Sequence, residues 1–283
     1  MTPTRRSTNT IVGLAAALCA GLAACSTAGA TPSAGHHVLD VNASDYSYQM
    51  SGAPLDAGVV TIKLRNSGAQ PHQANIARLH DDVTYDQFEA AVNQGVGPAL
   101  ALIDFEGGVN TIDPGATGVA YSKLTVGNYI LLCFVQDADG VPHLAKGMVK
   151  PFRVARGARR VRPPHTEGTV ELRSYGFDLP ARFGHGAYAV VNKGDEPHEL
   201  TLLRVAPGKT AGDVLNFLKA TTPPAGPLPF ADAGGVSEIS PGVDAYGRFN
   251  LPPGDYVALC FVPDDQTHIP HFLMGMFQPF TVN

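Results

Sequence analysis

Hydrophobic and polar positions alternate along most of the chain with a period of two. Val60, Ile62 and Leu64 interleave with Thr61, Lys63 and Arg65, the pattern of a strand with one buried face. Tyr129 to Val135 is instead continuously apolar behind the Gly127-Asn128 turn, which predicts a central strand covered on both faces. One helical segment interrupts the strands. Thr84 and Gln87 form a capping box, Tyr85, Phe88 and Val92 share a face, and Gly95 is expected to end the helix. Further along, Thr210, Asp213, Val214, Phe217 and Leu218 repeat that signal. Short strands with one inserted helix predict a β-sandwich in each half. Ahead of them, an uncharged apolar run from Ile11 to Ala24 follows Arg5 and Arg6. It is too short to span a bilayer and fits a signal-peptide core, residues 1–24.

Displacing the sequence by about 127 residues aligns it with itself. Asn66-Ser67-Gly68-Ala69-Gln70-Pro71-His72 matches Asn192-Lys193-Gly194-Asp195-Glu196-Pro197-His198. The segment Gly107-Gly108-Val109 to Pro114-Gly115 matches Gly234-Gly235-Val236 to Pro241-Gly242. Gly127-Asn128-Tyr129 through Cys133 matches Gly254-Asp255-Tyr256 through Cys260, and Pro142-His143 with Gly147-Met148 matches Pro270-His271 with Gly275-Met276. Two copies of one domain follow, at 37–154 and 166–283, each with a full strand set. Between them lies a basic, proline-containing linker, 155–165, with Arg156, Arg159, Arg160, Arg162 and Pro163-Pro164.

Composition narrows the class. With 31 Gly, 23 Pro, no Trp and only 16% charged residues, the chain suits a loop-rich all-β protein rather than a helical bundle. A formal charge of -5 argues against a nucleic-acid partner. Leu22-Ala23-Ala24-Cys25 resembles the bacterial lipoprotein box. That resemblance implies a lipidated Cys25, a tether over 25–36 and an extracytoplasmic protein anchored to the cell membrane. The arginine pair alone is a weak sign of twin-arginine export, because Ser7-Thr8-Asn9 lacks the apolar residues that signal needs. Cys19 leaves with the signal, so Cys133 and Cys260 remain, one in each copy.

Each copy then carries, in order, His, Cys, His and Met: His72, Cys133, His143 and Met148, then His198, Cys260, His271 and Met276. Two imidazoles, a thiolate and a thioether form the borderline-soft donor set that suits copper in a blue electron-transfer site. On these motifs the chain resembles the cupredoxins, the plastocyanin and azurin family. The resemblance implies two tandem Greek-key sandwiches. It also implies up to one type 1 copper per domain, with the two His and the Cys as equatorial ligands and the Met axial. Some features depart from that family. Nine residues separate Cys133 from His143 and ten separate Cys260 from His271, longer than in plastocyanin. Gln73 and Glu199 stand where many cupredoxins have an Asn beside the first His. His268 and Met274 are additional candidates in the second copy.

Rival readings remain open at this level. A Cys133–Cys260 disulfide would suit an oxidising compartment, and zinc accepts Cys and His but favours a carboxylate or water over Met. Asp81-Asp82, Asp264-Asp265 and His36-His37 read as solvated charges. The expected function is a single-electron carrier with an unidentified redox partner protein. Its alternatives are copper storage or delivery, or a metal-free binding module of the cell envelope. An enzyme is not expected: Leu132 and Phe134, and Leu259 and Phe261, flank the cysteines where copper oxidases and nitrite reductases place a further histidine ligand.

Overall fold

A computed structural model describes residues 37–157, 161–220, 222 and 225–283. The signal segment 1–24, Cys25, the tether 25–36 and linker residues Arg159 and Arg160 lie outside the described residues. In the first copy the strands are β1 (Val38–Ser44), β2 (Ser47–Ser51), β3 (Leu55–Asp56), β4 (Gly58–Asn66) and β5 (His72–Leu79). After two helices come β6 (Ile103–Ile112), β7 (Thr117–Leu124), β8 (Gly127–Leu132) and β9 (Val149–Ala155). The second copy contributes β10 (Gly168–Arg173), β11 (Gly176–Asp178), β12 (His185–Asn192) and β13 (His198–Val205). One helix later it adds β14 (Phe230–Ile239), β15 (Asp244–Asn250), β16 (Gly254–Leu259) and β17 (Phe277–Val282).

Two sheets hold all of them, one ordered β11-β10-β12-β15-β7-β4-β1-β2, the other β17-β16-β13-β14-β6-β5-β8-β9-β3. In each half the first strand pairs antiparallel with the second and parallel with one reached by a crossover: β1 with β2 and β4, β10 with β11 and β12. This is an all-β sandwich with crossed, Greek-key connections. Equivalent strands also meet across the halves, β6 against β14 and β7 against β15, both antiparallel. Both sheets therefore run through both copies.

Burial follows the sequence pattern. Val60, Ile62 and Leu64 are buried while Lys63 and Arg65 face solvent. Strand β8 is covered on both faces. Tyr129, Leu131 and Cys133 pack into the sandwich with Leu39, Val41 and Ile62, whereas Ile130 and Leu132 lie under Phe88 and Ala91 on the outer face. Cys133 faces inward because it keeps the parity of Tyr129 and Leu131. The tyrosine of the Gly-x-Tyr motif has its own task. Tyr129 Oη donates to the Thr125 carbonyl (3.0 Å) and Tyr256 Oη to that of Pro252 (2.7 Å), fastening each strand to the turn before it.

Helix α1 (Tyr85–Val92) has the Thr84–Gln87 capping box, and the helix of the second copy (Ala211–Lys219) has its counterpart from Thr210 and Asp213. One helix per copy is too few for the first. A second, α2 (Val96–Leu100), follows at once, so the later helix is α3. Gly95 does not end α1, which closes at Asn93. Gly95 takes φ 137° at the N-cap of α2, and Pro98 falls in the first turn, where a missing N–H costs nothing.

Candidate metal centres

The Asn-x-Gly-x-x-Pro-His loops place the early histidines at the starts of β5 and β13. Asn66 Nδ2 donates to the carbonyls of Gln70 (2.8 Å) and Ile112 (3.0 Å), and its Oδ1 accepts from Gly68 N (2.9 Å). Asn192 repeats this with Glu196 O (2.7 Å), Ile239 O (2.9 Å) and Gly194 N (2.8 Å). The glycine is needed for space: a Cβ on Gly68 would stand 2.7 Å from His72 Nε2, and one on Gly194 would stand 2.4 Å from His198 Nε2.

Each cysteine is the first residue past its strand, and the following loop folds back onto it. Leu144 N–H donates to Cys133 O (2.8 Å) and Met148 N–H to His143 O (3.0 Å). The second copy repeats both bonds with Phe272 to Cys260 (2.9 Å) and Met276 to His271 (3.0 Å). An internal aspartate closes each of these long loops. Asp137 accepts from Asp139 N (2.9 Å) and Val141 N (3.0 Å) and pairs with Lys146. Asp264 is not the solvated charge its sequence context suggests. It is buried and accepts from Thr267 N (2.6 Å), Gln266 N (3.2 Å) and Tyr175 Oη (2.7 Å). Bonds from Thr267 and Tyr175 hold its carboxyl far below the usual carboxylate range.

These elements bring His72, Cys133 and His143 together, and likewise His198, Cys260 and His271, with ligand atoms within 4.8 Å of one another in each group. All six side chains are buried. In the first group the two Nδ1 atoms are 3.1 Å apart and Cys133 Sγ is 3.5 Å from His143 Nδ1. The second gives 3.0 Å and 3.5 Å. The outward nitrogens fix the tautomers. His72 Nε2 faces Asp45 Oδ1 (3.0 Å) and His143 Nε2 faces Gln70 Oε1 (3.2 Å), both acceptors, so each Nε2 carries the proton. Both Nδ1 atoms are then bare lone pairs aimed at one another beside a thiol. Such a donor set fits a soft cation, and copper in particular.

Electrostatics agree with that fit. Burial pushes His72 below its ordinary pKa against the pull of Asp45, burial and His72 do so for His143, and burial with His271 pushes His198 down to about 4. Burial thus favours the neutral form of His72, His143 and His198, the form a metal requires. Burial raises the Cys133 thiol to about 11, and burial and Glu199 raise Cys260 well above its ordinary value. A bound cation is what would draw off those protons. At Asp45 desolvation is outweighed by N–H groups of Ala69 and Gln70 and by His72, so the carboxylate stays ionised.

Met148 and Met276 are fully buried in the same clusters as Cys133 and Cys260. His268 is exposed with φ 57°, and Met274 lies against Thr267, so neither joins the site. Cys133 and Cys260 are both free, which removes the disulfide alternative. The missing Asn beside the first histidine is partly replaced: Glu199 Oε1 accepts from Phe261 N (2.8 Å), tying β13 to the loop after Cys260.

Several contributors escaped sequence reasoning. Tyr46 and Tyr175 pack edge-on against His143 and His271 at 5.0 and 5.3 Å. Extending the repeat alignment to Asp45-Tyr46 and Ser174-Tyr175 would have found them. Gln70 and Glu196 sat inside the aligned motif, and Glu196 Oε2 is 3.1 Å from His271 Nε2. Glu196, Asp264 and His271 also form a third group able to approach a metal, which shares His271 with the second centre.

No protein-family model matches the chain, and no curated protein does. Among solved structures, reduced auracyanin from the photosynthetic bacterium Roseiflexus castenholzii is 21% identical, covering 43% of this chain and 98% of its own, with a TM-score of 0.31. A multicopper oxidase is 16% identical over 87% of this chain and 88% of its own, with a TM-score of 0.24. The copper-containing nitrite reductase of Thermus scotoductus SA-01 is 14% identical over 88% of this chain and 61% of its own, with a TM-score of 0.23. By its own strand order the chain is an all-β sandwich, and a buried His-Cys-His cluster occurs in each of its two repeated halves.

Proposed function

We propose that this protein binds copper in both halves and carries single electrons outside the cytoplasm, held to the cell membrane through a lipid on Cys25. His72, Cys133 and His143 with Met148 would hold one copper ion, and His198, Cys260 and His271 with Met276 the other. One observation carries the reading: two imidazole lone pairs and a thiol converge in a buried space, and they do so twice with nearly the same distances.

When bound, the metal supplies a one-electron couple between Cu(II) and Cu(I). The protein's part is to hold the donors still. Asp45, Gln70 and Glu196 keep three of the rings in one tautomer and orientation, the Asp137 and Asp264 turns brace the loops, and the sandwich packs the sulfur among apolar side chains. A donor set fixed in both oxidation states keeps reorganisation small. Leu132, Phe134, Leu259 and Phe261 beside the cysteines support a carrier rather than an enzyme with a bridged second copper.

Loading the purified protein with Cu(II), reducing it and reoxidising it in air tests the reading. An intense thiolate band should bleach with one electron per copper and return. Tight Cu(I) binding without such a band would assign storage or delivery instead.

A further inference from the structure

A side chain of the first half reaches into the second beside its sulfur. Strands β5 and β6 fall out of step between the pairs His72–Ile112 and Ala74–Val109, so Asn110 and Thr111 together oppose Gln73. A bulge of this kind re-aims a side chain. Thr111 N–H takes Asn110 Oδ1 (2.6 Å), which leaves the amide nitrogen facing the second half. Asn110 Nδ2 donates to Glu199 Oε2 (2.8 Å) and Thr201 Oγ1 (2.9 Å), with the Val236 carbonyl 3.4 Å away, all on β13 and β14. Asn110 and Glu199 are both buried. Glu199 in turn flanks the second centre on two sides. It follows His198 in the chain and its N–H donates to Cys260 Sγ (3.5 Å), while its Oε1 accepts from the N–H of Phe261, the residue after Cys260 (2.8 Å). The first half is built differently. Gln73, aligned with Glu199, donates to Glu238 Oε2 (3.5 Å), and among the described residues its side chain makes no bond to the loop after Cys133.

We propose that Asn110 is a positioning residue for the copper centre of the other half, acting through Glu199, so that the centre of His198, Cys260 and His271 is complete only with a side chain from the first copy. This rests on the copper reading above. A buried carboxyl group that loses a donor keeps an unpaired oxygen and loses the geometry the donor fixed. Glu199 carries His198 on one side and the bonds to Cys260 and Phe261 on the other, so a shift of Glu199 moves the ligands relative to one another. The side-chain bonds of Asn110 run to Glu199, Thr201 and its own neighbour Thr111, and none of them touches His72, Cys133 or His143. The effect of removing it therefore belongs to the second centre, although the residue stands in the first half.

The test uses full-length, copper-loaded protein with one centre silenced, Cys133→Ser to report the second centre and Cys260→Ser the first. In the Cys133→Ser background Asn110→Ala should shift the visible thiolate band and weaken copper binding on the order of 10-fold in a chelator competition. In the Cys260→Ser background the same substitution should leave band and affinity where they were. Glu199→Ala should reproduce the shift at the second centre, and adding Asn110→Ala to it should change nothing further, because the two residues act as one unit. A second centre unmoved by Asn110→Ala, equal changes at both centres, or a full Asn110→Ala effect that persists beside Glu199→Ala would overturn this proposal and leave the copper reading standing. A colourless wild-type protein would overturn both. If Asn110→Ala does not fold, Asn110→Ser carries the same comparison: it installs the residue type of Ser237, the equivalent bulge position of β14, and its shorter side chain also gives up the bond to Glu199.

Discussion

The two centres have the same interior and different surroundings. Their Nδ1 separations are 3.1 and 3.0 Å, and each thiol is 3.5 Å from the later histidine. Around them the partners are permuted. In the first half a carboxylate, Asp45, holds the early histidine and an amide, Gln70, the later one. In the second the carboxylate Glu196 holds the later histidine, and His198 Nε2 has no partner among the described residues. The loops are likewise braced by Asp137 with Lys146 in one half and by Asp264 with Tyr175 in the other. Strand ends and loop backbone, common to both copies, are what fix the interior. The polar shell is thus free to vary, and it can tune each centre without moving a ligand.

Breaking the shared interior should have the largest effect. Gly68→Ala and Gly194→Ala each drive a Cβ to within 2.7 and 2.4 Å of the imidazole, and copper affinity should fall on the order of 100-fold at the mutated centre alone, read by competitive chelator titration. Equal loss at both centres, or none, would show that the loops do not position the rings.

The permuted shell should give smaller, half-specific effects. Asp45→Asn should weaken the first centre about 10-fold and Glu196→Gln the second by a similar factor, with the other centre unchanged in the same titration. Crossed effects would mean that the halves are coupled through their shared sheets.

The smallest effect concerns stability in the metal-free protein. Burial raises Glu106 to about 7, with Asp104 adding and Arg78 opposing, and burial with Asp113 raises Asp232 to about 7. A carboxyl whose folded pKa is raised binds more protons folded than unfolded. It therefore costs stability as pH climbs from its unfolded value, near 4, through 7. Glu106→Gln and Asp232→Asn should accordingly raise Tm relative to wild type at pH 8 and leave it nearly unchanged at pH 4, in paired thermal melts.

Much of this was legible in the sequence because it rests on local chemistry. Alternation gave β4, the apolar run gave β8, capping boxes gave α1 and α3, and the repeat put the eight donor side chains in register. What was not legible depends on tertiary contact. Nothing along the chain says that β6 meets β14 and β7 meets β15, since that pairing joins strands of different copies and leaves no local pattern. Helix α2 was hidden because Gly95, Gly97 and Pro98 look like a stop when Pro in a first turn is harmless. Asp264 looked solvated because a loop aspartate shows no sign of which N–H groups will fold back onto it.

The central claim, two like centres each built on its own cysteine, is tested most directly by counting. Titration of Cu(II) into native wild-type protein should reach two coppers per chain with a thiolate-to-copper band. Cys133→Ala and Cys260→Ala should each stop at one copper and keep only the other centre's share of that band. A colourless wild-type titration, or a single substitution that abolishes the whole band, would contradict the account.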